Sequence, residues 1–340
     1  MTADLPDLDN AAEIEHESPL VVDLLIIGAG PAGLYGAYYA GFRAMKVAVM
    51  DSLPALGGQV AALYPEKQIF DVAGFPRIKG QDLVDQLVEQ ATNSSKPTYV
   101  LGHRAEELES GADEVTVRTH RGLEVKAKAV IITGGIGTFT PRPLPDGEAY
   151  EGKGLRYFVP KLDELAGQHV LIVGGGDSAV DWALALEPLC PSVTLVHRRP
   201  QFRAHERSVD LLMESSVDVL TPYEVASIAG DEAVEEVVIF DNKTQEEKTL
   251  AVQGVVAALG FTADLGPFTR WGLEQDKRHI LVDTAMRTNI PRVFAAGDIV
   301  EYEGKVRLIA VGFGEVATAV NNAAPVISPD AKLFPGHSSE

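Results

Sequence analysis

The chain has 340 residues, of which 46% are hydrophobic, and a formal net charge of −20 at pH 7. This length is sufficient for two domains, and the negative charge argues against nucleic-acid binding, because phosphate backbones are bound by basic faces. The single cysteine, Cys190, excludes an internal disulfide and predicts a reducing, cytoplasmic location, and no apolar run approaches the length needed to span a bilayer.

The first 19 residues form an acidic segment. They contain no lysine or arginine, and their acidic side chains are Asp4, Asp7, Asp9, Glu13, Glu15 and Glu17. This is the wrong charge for a secretory signal peptide. We therefore expect a disordered acidic tail at residues 1–19.

A glycine-rich loop, Gly28-Ala29-Gly30-Pro31-Ala32-Gly33, follows the apolar run at residues 21–27. Its glycines let the backbone approach a pyrophosphate, and the predicted helix after it presents a positive N-terminal end. The next apolar run ends at Asp51, 18 residues after Gly33, close to the roughly 20 residues typical of a carboxylate that binds ribose hydroxyls. Because Asp51 would repel a 2′-phosphate, this site suits FAD or NAD.

A second loop, Gly174-Gly175-Gly176-Asp177-Ser178-Ala179, follows the apolar run at residues 169–173. The strand after it ends at Val196, and no acid stands at the expected ribose position. Basic residues stand there instead: His197, Arg198, Arg199 and Arg203. Guanidinium groups bind phosphate oxygens in a bidentate manner, so this site indicates NADP. Neighbouring strand residues point to opposite faces, which leaves open that Arg198 or Arg199 is a solvated surface charge.

The order of the apolar strands predicts one domain inserted in another. The first doubly wound unit extends to Gly135, and a proline-rich crossing at residues 140–145 leads to the second unit. That unit closes with the apolar run at residues 254–260, and a strand at residues 292–296 returns to the first domain. We predict an α/β fold of two Rossmann-like, doubly wound, three-layer nucleotide-binding domains. Two bound dinucleotides indicate that electrons pass between them.

Several further segments are characteristic of one flavoprotein group: Gly57-Gly58-Gln59, residues 63–67, residues 71–76, residues 197–206, Gly297-Asp298, residues 312–315, residues 319–323 and His337-Ser338-Ser339. On these segments the chain resembles the low-molecular-weight thioredoxin-reductase-like flavoproteins and, within them, the ferredoxin–NADP reductases. The resemblance covers residues 21 to 339. It implies an FAD-binding domain at 20–138 and 263–340, an NADP(H)-binding domain at 139–262, and a homodimer.

The absence of a Cys-x-x-Cys motif separates the chain from the thioredoxin reductases that it resembles. A thioredoxin reductase needs a dithiol to pass two electrons to a protein disulfide, and one cysteine cannot supply it. Flavin accepts a hydride as an electron pair and releases electrons singly. We therefore expect electron transfer between NADPH and ferredoxin or flavodoxin, with no acid–base catalytic side chain. The alternatives are an NADPH-dependent flavin oxidase or quinone reductase, and a non-catalytic, NADPH-sensing flavoprotein.

The resemblance also implies the site residues. For FAD they are Gly28, Gly30, Gly33, Asp51, Gln59, Tyr64, Ala105, Phe139, Asp298 and Ser339. For NADP they are Gly174, Gly176, Asp177, Ser178, Ala179, His197, Arg198, Arg199 and Arg203. No metal site is expected, because the histidines are scattered without ligand spacing.

The resemblance implies more specific roles for Tyr64, His337 and Asp298. Tyr64 stacks on the isoalloxazine, and His337 covers the other face of the flavin of the partner subunit; the alternatives are a packed loop tyrosine and a frayed terminus. Asp298 contacts the ribitol chain, and the helix after it directs its positive end at the flavin. The alternative for Asp298 is a simple helix cap.

Overall fold

The computed structural model describes residues 19–159, 161–334 and 336. The chain divides into two compact units, one built from the residues up to 138 and those from 263 onward, the other from residues 139–262. The second unit is thus an insertion in the sequence of the first. Apart from Pro19, the acidic tail lies outside the described residues.

The helices and strands follow one another from the first described residues. The helices are α1 (Pro31–Phe42), α2 (Gly58–Leu63), α3 (Gly80–Ser94), α4 (Asp177–Leu186), α5 (Glu206–Glu214) and α6 (Ile309–Ile327). The strands are β1 (Leu20–Ile27), β2 (Val47–Met50), β3 (Gln68–Ile69), β4 (Ile78–Lys79), β5 (Thr98–Val100), β6 (Ala105–Ser110), β7 (Val115–Thr119), β8 (Glu124–Ile132), β9 (Thr138–Pro141), β10 (Leu155–Arg156), β11 (His169–Val173), β12 (Ser192–Val196), β13 (Asp218–Leu220), β14 (Tyr223–Ala229), β15 (Glu236–Asp241), β16 (Glu247–Ala251), β17 (Gly254–Ala257), β18 (Phe261–Asp264), β19 (Gln275–Asp276), β20 (His279–Leu281), β21 (Val293–Ala295) and β22 (Val300–Glu301).

A seven-stranded sheet organises the first unit. Its order is β5-β2-β1-β8-β7-β6, and β21 also pairs with β8. Strand β1 lies in the middle, parallel to both β2 and β8. The chain winds outward in opposite directions from β1, so the crevice at the carboxyl end of β1 is the place where such sheets bind ligands.

The apolar run of β1 faces two cores. Leu24 and Ile26 pack in one core with side chains of α1, α3 and α6. Leu25 and Ile27 pack in the other with side chains of β7, β8 and the segment after residue 263. Because side chains alternate along a strand, a strand covered on both faces needs an unbroken apolar sequence, and β1 has one at residues 24–27.

The second unit is built in three layers. Its parallel sheet has the order β10-β17-β11-β12-β13. Helix α4 packs on one face of this sheet, where Trp182 and Ile172 belong to the same buried apolar cluster. The antiparallel strands β14, β15 and β16 cover the other face, where Ile239 and Leu171 belong to a second cluster. The predicted α/β fold with two Rossmann-like domains is confirmed.

The two segments that cross between the units pair with each other. Strands β9 and β18 form a two-stranded sheet. The sequence indicated a proline-marked connection at the first crossing, and Pro141 does end β9, at a strand terminus where proline is tolerated. Within the described ranges, no helix is long and apolar enough to cross a bilayer.

Candidate nucleotide-binding sites

The first glycine loop is tight at its two ends and open in its middle. Gly28 has a φ of +118°, and a Cβ there would lie 2.4 Å from the backbone oxygen of Thr133. A Cβ at Gly33 would lie 1.8 Å from the oxygen of Gly28, whereas one at Gly30 would meet no atom within 4 Å. Helix α1 begins at Pro31 with no side-chain cap. Its first free N–H groups and the open space beside Gly30 are therefore suited to bind a pyrophosphate.

Asp51 lies directly beside this loop. Its Oδ2 accepts a hydrogen bond from the Ala29 N–H at 2.7 Å, and its Oδ1 accepts one from the Leu53 N–H at 2.9 Å. Burial raises the pKa of Asp51, and these backbone hydrogen bonds oppose the shift. Each carboxylate oxygen keeps a lone pair for a further donor. The carboxylate is therefore suited to ribose hydroxyls and unsuited to a phosphate.

Helix α2 is docked on the same loop. The Gly57 N–H donates to the Ala29 oxygen at 2.9 Å, and a Cβ at Gly58 would lie 2.9 Å from the Cα of Gly30. The amide of Gln59 lies against the backbone after β8, because a Cβ at Gly135 would be 2.8 Å from its Nε2. The loop, α2 and the end of β8 thus border one crevice in the first unit.

Tyr64 ends α2 and is half-buried. The Lys67 ammonium lies 5.5 Å from the centroid of its ring, within the range of a cation–π contact. Its stacking on flavin stays a prediction.

The turn at Gly297 and Asp298 borders the loop from the side of β21. Gly297 has a φ of +85°, and a Cβ there would lie 3.5 Å from the Cβ of Ala32. Asp298 is half-buried. Burial raises the pKa of its carboxyl group, while the charges of Lys305 and Arg307 oppose the shift. The turn therefore places a carboxyl group beside the first loop.

The alternative of a simple helix cap at Asp298 is wrong, because no helix begins at this residue; that the helix after it directs its positive end at the flavin stays a prediction. Strand β22 follows the turn, and α6 begins only at Ile309. The chain pairs β22 with β20 before it reaches the helix. Sequence reasoning missed this strand because it is only two residues long.

For the remaining predicted FAD residues, the structure gives less information on their position relative to the first glycine loop. Ala105 begins β6 and is buried in the apolar core. It follows a loop whose His103 N–H donates to the backbone oxygen of Asp51 at 2.9 Å. Phe139 lies in β9, but its side chain is not among those described, and His337 and Ser339 lie outside the described residues. The contacts of these residues with flavin stay predictions.

The second glycine loop repeats the geometry of the first in the inserted unit. A Cβ at Gly174 would lie 2.4 Å from the oxygen of Ala258, whereas one at Gly176 would meet no atom within 4 Å. Helix α4 begins at Asp177, whose Oδ1 accepts a hydrogen bond from the His205 N–H at 2.9 Å. Ser178 is half-buried in the first turn. The Ala179 side chain packs in the core, so its contribution to a site is limited to its backbone.

Three arginines surround this second loop. Arg198 and Arg199 follow the end of β12, and the Arg203 N–H donates to the Gly175 oxygen at 2.7 Å. The three side chains belong to exposed residues, and in the described part of the chain none of them forms an ion pair with a carboxylate. Three such cations in a chain of net charge −20 are suited to bind a phosphate group.

The ring of His197 lies over Gly175, where a Cβ would be 2.3 Å from its Cε1. Its Nε2 is buried and has no hydrogen-bond partner among the described residues. Burial lowers the pKa of His197, and the charges of the nearby arginines lower it further.

Sequence reasoning did not identify the buried polar groups that support the first site. The Thr133 hydroxyl donates to the Gly28 oxygen at 2.9 Å. Glu315 of α6 is 5% exposed and accepts hydrogen bonds from the Gly297 N–H, the Tyr302 hydroxyl and the Lys305 ammonium. The available signal was a single acidic residue in an otherwise uncharged helix. Among the described residues, no cluster of histidine, cysteine or acidic side chains could hold a metal ion.

Comparison with known proteins identifies relatives over nearly the whole chain. Residues 22–323 match the family model described as pyridine nucleotide-disulphide oxidoreductase. A protein of Frankia casuarinae named ferredoxin–NADP reductase is 62% identical over 93% of this chain and 98% of its own length. One of the same name from a Nocardioides species is 59% identical over 95% of this chain and 98% of its own. The crystal structure of a Lactococcus lactis thioredoxin reductase covers 91% of this chain and 99% of its own, with a TM-score of 0.77 and 27% identity.

Proposed function

We propose that this chain, which belongs to the pyridine nucleotide-disulphide oxidoreductase family, is an FAD-dependent ferredoxin–NADP reductase. It transfers electrons between NADPH and ferredoxin. One observation carries the proposal: the chain has two glycine loops of the same shape, one beside a carboxylate and the other beside three arginines, and a single cysteine. The name of the relatives at 62% and 59% identity supports the same reaction.

The first unit holds FAD. The glycine loop and the start of α1 bind the pyrophosphate, Asp51 binds the adenosine ribose, and Asp298 binds the ribitol chain. Gln59 and Tyr64 line the flavin end of the site. Bound FAD supplies the capacity to take up a hydride and to release electrons one at a time. The protein contributes binding, orientation and exclusion of water, and no side chain of the chain acts as an acid–base catalyst.

The second unit binds NADPH. The open side of Gly176 and the start of α4 receive the pyrophosphate. Arg198, Arg199 and Arg203 bind the 2′-phosphate, which the first site would repel through Asp51. The two sites therefore distinguish their nucleotides by the charge at the ribose.

Electrons leave through a carrier and not through a thiol. Cys190, which is half-buried, donates a hydrogen bond from its thiol to the Leu165 oxygen at 3.3 Å, and burial raises the pKa of this thiol. A thiol with a raised pKa is a poor nucleophile at neutral pH. The sequence has no second cysteine to complete a dithiol.

Three finer features complete the proposal. Flavodoxin serves as a second electron carrier, and the protein acts as a homodimer in the cytoplasm. The exposed aromatic ring of Phe42 at the end of α1, which is 51% exposed, supports the dimer. The single cysteine supports the cytoplasmic location.

Stopped-flow spectroscopy tests the reaction. The holoprotein is first reduced anaerobically with NADPH and then mixed with ferredoxin, a quinone or oxygen. We expect fast flavin bleaching by NADPH, and reoxidation by ferredoxin that is much faster than by oxygen.

Two outcomes would contradict the assignment. Reoxidation by ferredoxin no faster than by oxygen would favour a flavin oxidase, or a quinone reductase if the quinone reacts fastest. An absence of rapid bleaching by NADPH would favour a non-catalytic flavoprotein that senses NADPH.

A further inference from the structure

Glu315 is a buried carboxylate whose two oxygens serve two different parts of the first unit. Its Oε2 accepts the Gly297 N–H at 2.8 Å. Its Oε1 accepts the Tyr302 hydroxyl at 2.7 Å and the Lys305 ammonium at 2.5 Å. The Lys305 side chain is fully buried, at 0% exposure, and that of Glu315 is 4% exposed. The carboxylate thus bridges the turn before Asp298 and the segment before α6.

The turn that Glu315 holds is closely packed against its neighbours and has an unusual backbone conformation. Gly297 has a φ of +85°, a conformation that L side chains rarely adopt. A Cβ at Gly312 would lie 3.5 Å from the Cα of Gly297, and Gly297 also borders Ala32 of the first loop. The next residue is Asp298. A displacement of this turn would therefore move the Asp298 carboxyl group as well.

We propose that Glu315 is a positioning residue for FAD, because its carboxylate fixes the turn that presents Asp298 to the ribitol chain. The inference rests on the proposed function, since it takes FAD as the ligand of the first unit. Lys305 balances the buried charge of Glu315 and has no direct part in holding the turn. Burial and the hydrogen bond to Glu315 raise the pKa of Tyr302 to about 12, so this hydroxyl remains a donor at neutral pH.

The geometry explains why glutamine cannot replace Glu315. All three neighbours of the carboxylate are hydrogen-bond donors, and between them they occupy both of its oxygens. A glutamine offers one acceptor oxygen and one NH2 group. If its oxygen faces Gly297, its NH2 faces the Lys305 ammonium; if its oxygen faces Lys305, its NH2 faces the Gly297 N–H. Either orientation leaves a donor against a donor.

Removal of Lys305 relieves this conflict. In a Glu315→Gln/Lys305→Met protein, the amide oxygen accepts the Gly297 N–H and the NH2 donates to the Tyr302 oxygen. The buried charge pair is then absent as a whole, which is far less costly than leaving one partner alone. In Lys305→Met, by contrast, the carboxylate still accepts the Gly297 N–H but lacks its cation. This single variant is expected to lose stability and to keep the turn.

The experiment measures FAD affinity by titration of the apoproteins, and their thermal unfolding without FAD. We expect Glu315→Gln to weaken FAD binding by about tenfold or more. Lys305→Met has a lower Tm but binds FAD within about threefold of wild type, and the double variant recovers FAD affinity to about the same range. In an Asp298→Asn background, Glu315→Gln has little further effect on FAD binding, because the two residues act through one contact.

The inference is overturned if Glu315→Gln binds FAD as wild type does, or if the double variant binds FAD no better than Glu315→Gln. It is also overturned if FAD affinity follows the Tm across all variants, because Glu315 would then support the fold alone. These outcomes are distinct from a failure of the proposed function, in which the wild-type apoprotein itself does not bind FAD.

Discussion

At the residue scale, the two glycine loops differ in the charge of the side chains beside them. Asp51 stands at the carboxyl end of β2 and Arg198 at that of β12, each beside a glycine loop. On the proposed assignment, the same fold discriminates between two dinucleotides through the sign of the charge beside each glycine loop. Both positions were predictable, because the spacing from a glycine loop to the next strand end is a property of the local sequence.

Substitution of Arg203 tests the phosphate site. We expect Arg203→Ala to raise the KM for NADPH and to leave that for NADH nearly unchanged. A charge-assisted hydrogen bond contributes about 1.5–3 kcal/mol, which corresponds to roughly 10- to 150-fold in affinity. Steady-state kinetics with both nucleotides provide the measurement.

Arg207→Ala is the matched control, because Arg207 is also exposed and lies in the first turn of α5. It should change neither KM. An equal loss with NADPH and NADH in Arg203→Ala would show that this side chain is structural.

His197 should make stability depend on pH. Its pKa in the folded protein is lowered, first by burial, from an ordinary value of 6.5. The unfolded chain therefore takes up the proton first as the pH falls, so the contribution of His197 is present above about pH 6.5 and is lost below it. Urea unfolding of the apoprotein at about pH 5.5 and about pH 7.5 should show a smaller pH effect in His197→Gln than in wild type. If the difference in stability between the two pH values is the same in His197→Gln as in wild type, His197 does not cause the pH dependence.

The Glu315 network could not be predicted from the sequence. Lys305 and Tyr302 stand 10 and 13 residues before Glu315, and Gly297 stands 18 residues before it. These groups meet only because β22 and the segment after it fold back on α6. Local spacing does not encode such a return. The sequence showed one acidic residue in an otherwise uncharged helix, but it did not show the partners of that residue.

At the scale of elements, the two glycine loops have glycines with equivalent roles at equivalent positions. Gly28 and Gly174 allow close packing of the loop on a neighbouring strand end, whereas Gly30 and Gly176 leave space for a ligand. The β–loop–α pattern was visible in the sequence because apolar strands flank both loops. The short strands β19, β20 and β22 were not visible in the sequence, because runs of two or three residues are too short to show the alternation of apolar and polar side chains.

Alanine at the open glycines should separate ligand binding from folding. The φ angles of Gly30 and Gly176 are −73° and −100°, and a methyl group there meets no protein atom within 4 Å. Gly30→Ala should therefore keep the Tm of the apoprotein and weaken FAD binding by about tenfold or more, because the methyl group occupies the approach of the pyrophosphate. Titrations with FAD and with NADP+ provide the measurement.

The two variants serve as controls for each other. Gly176→Ala should weaken NADP+ binding and leave FAD binding unchanged. Gly28→Ala, with its Cβ 2.4 Å from the Thr133 oxygen, should instead destabilise the apoprotein. If Gly30→Ala and Gly28→Ala behave alike, the open side of the first loop is not the nucleotide cradle.

The whole molecule combines an inserted unit with a strong negative charge. The insertion was predictable because the strand at residues 292–296 could not be used by the second unit, whose sheet already had a closing strand in β17. The pairing of β9 with β18 was not predictable, because the two segments are separated by more than 100 residues. Local patterns indicate which segments are strands, but not which distant strands meet.

The net charge should oppose the approach of an acidic ferredoxin. Like charges repel at long range, and salt screens this repulsion, with a Debye length of about 8 Å at physiological ionic strength. We expect kcat/KM for an acidic ferredoxin to rise between about 10 mM and about 150 mM salt. An uncharged quinone should show little change over this range. A steep fall of kcat/KM with salt would contradict this and would indicate a dominant basic docking patch.

The central claim is that a tightly bound FAD receives a hydride from NADPH and that electrons leave without a thiol. Anaerobic titration of Cys190→Ser with NADPH, followed by addition of ferredoxin, tests it most directly. The account predicts a yellow protein that one equivalent of NADPH bleaches and that reduces ferredoxin at the wild-type rate. A colourless protein that does not take up FAD, or a Cys190→Ser protein that is bleached but cannot reduce ferredoxin, would contradict it.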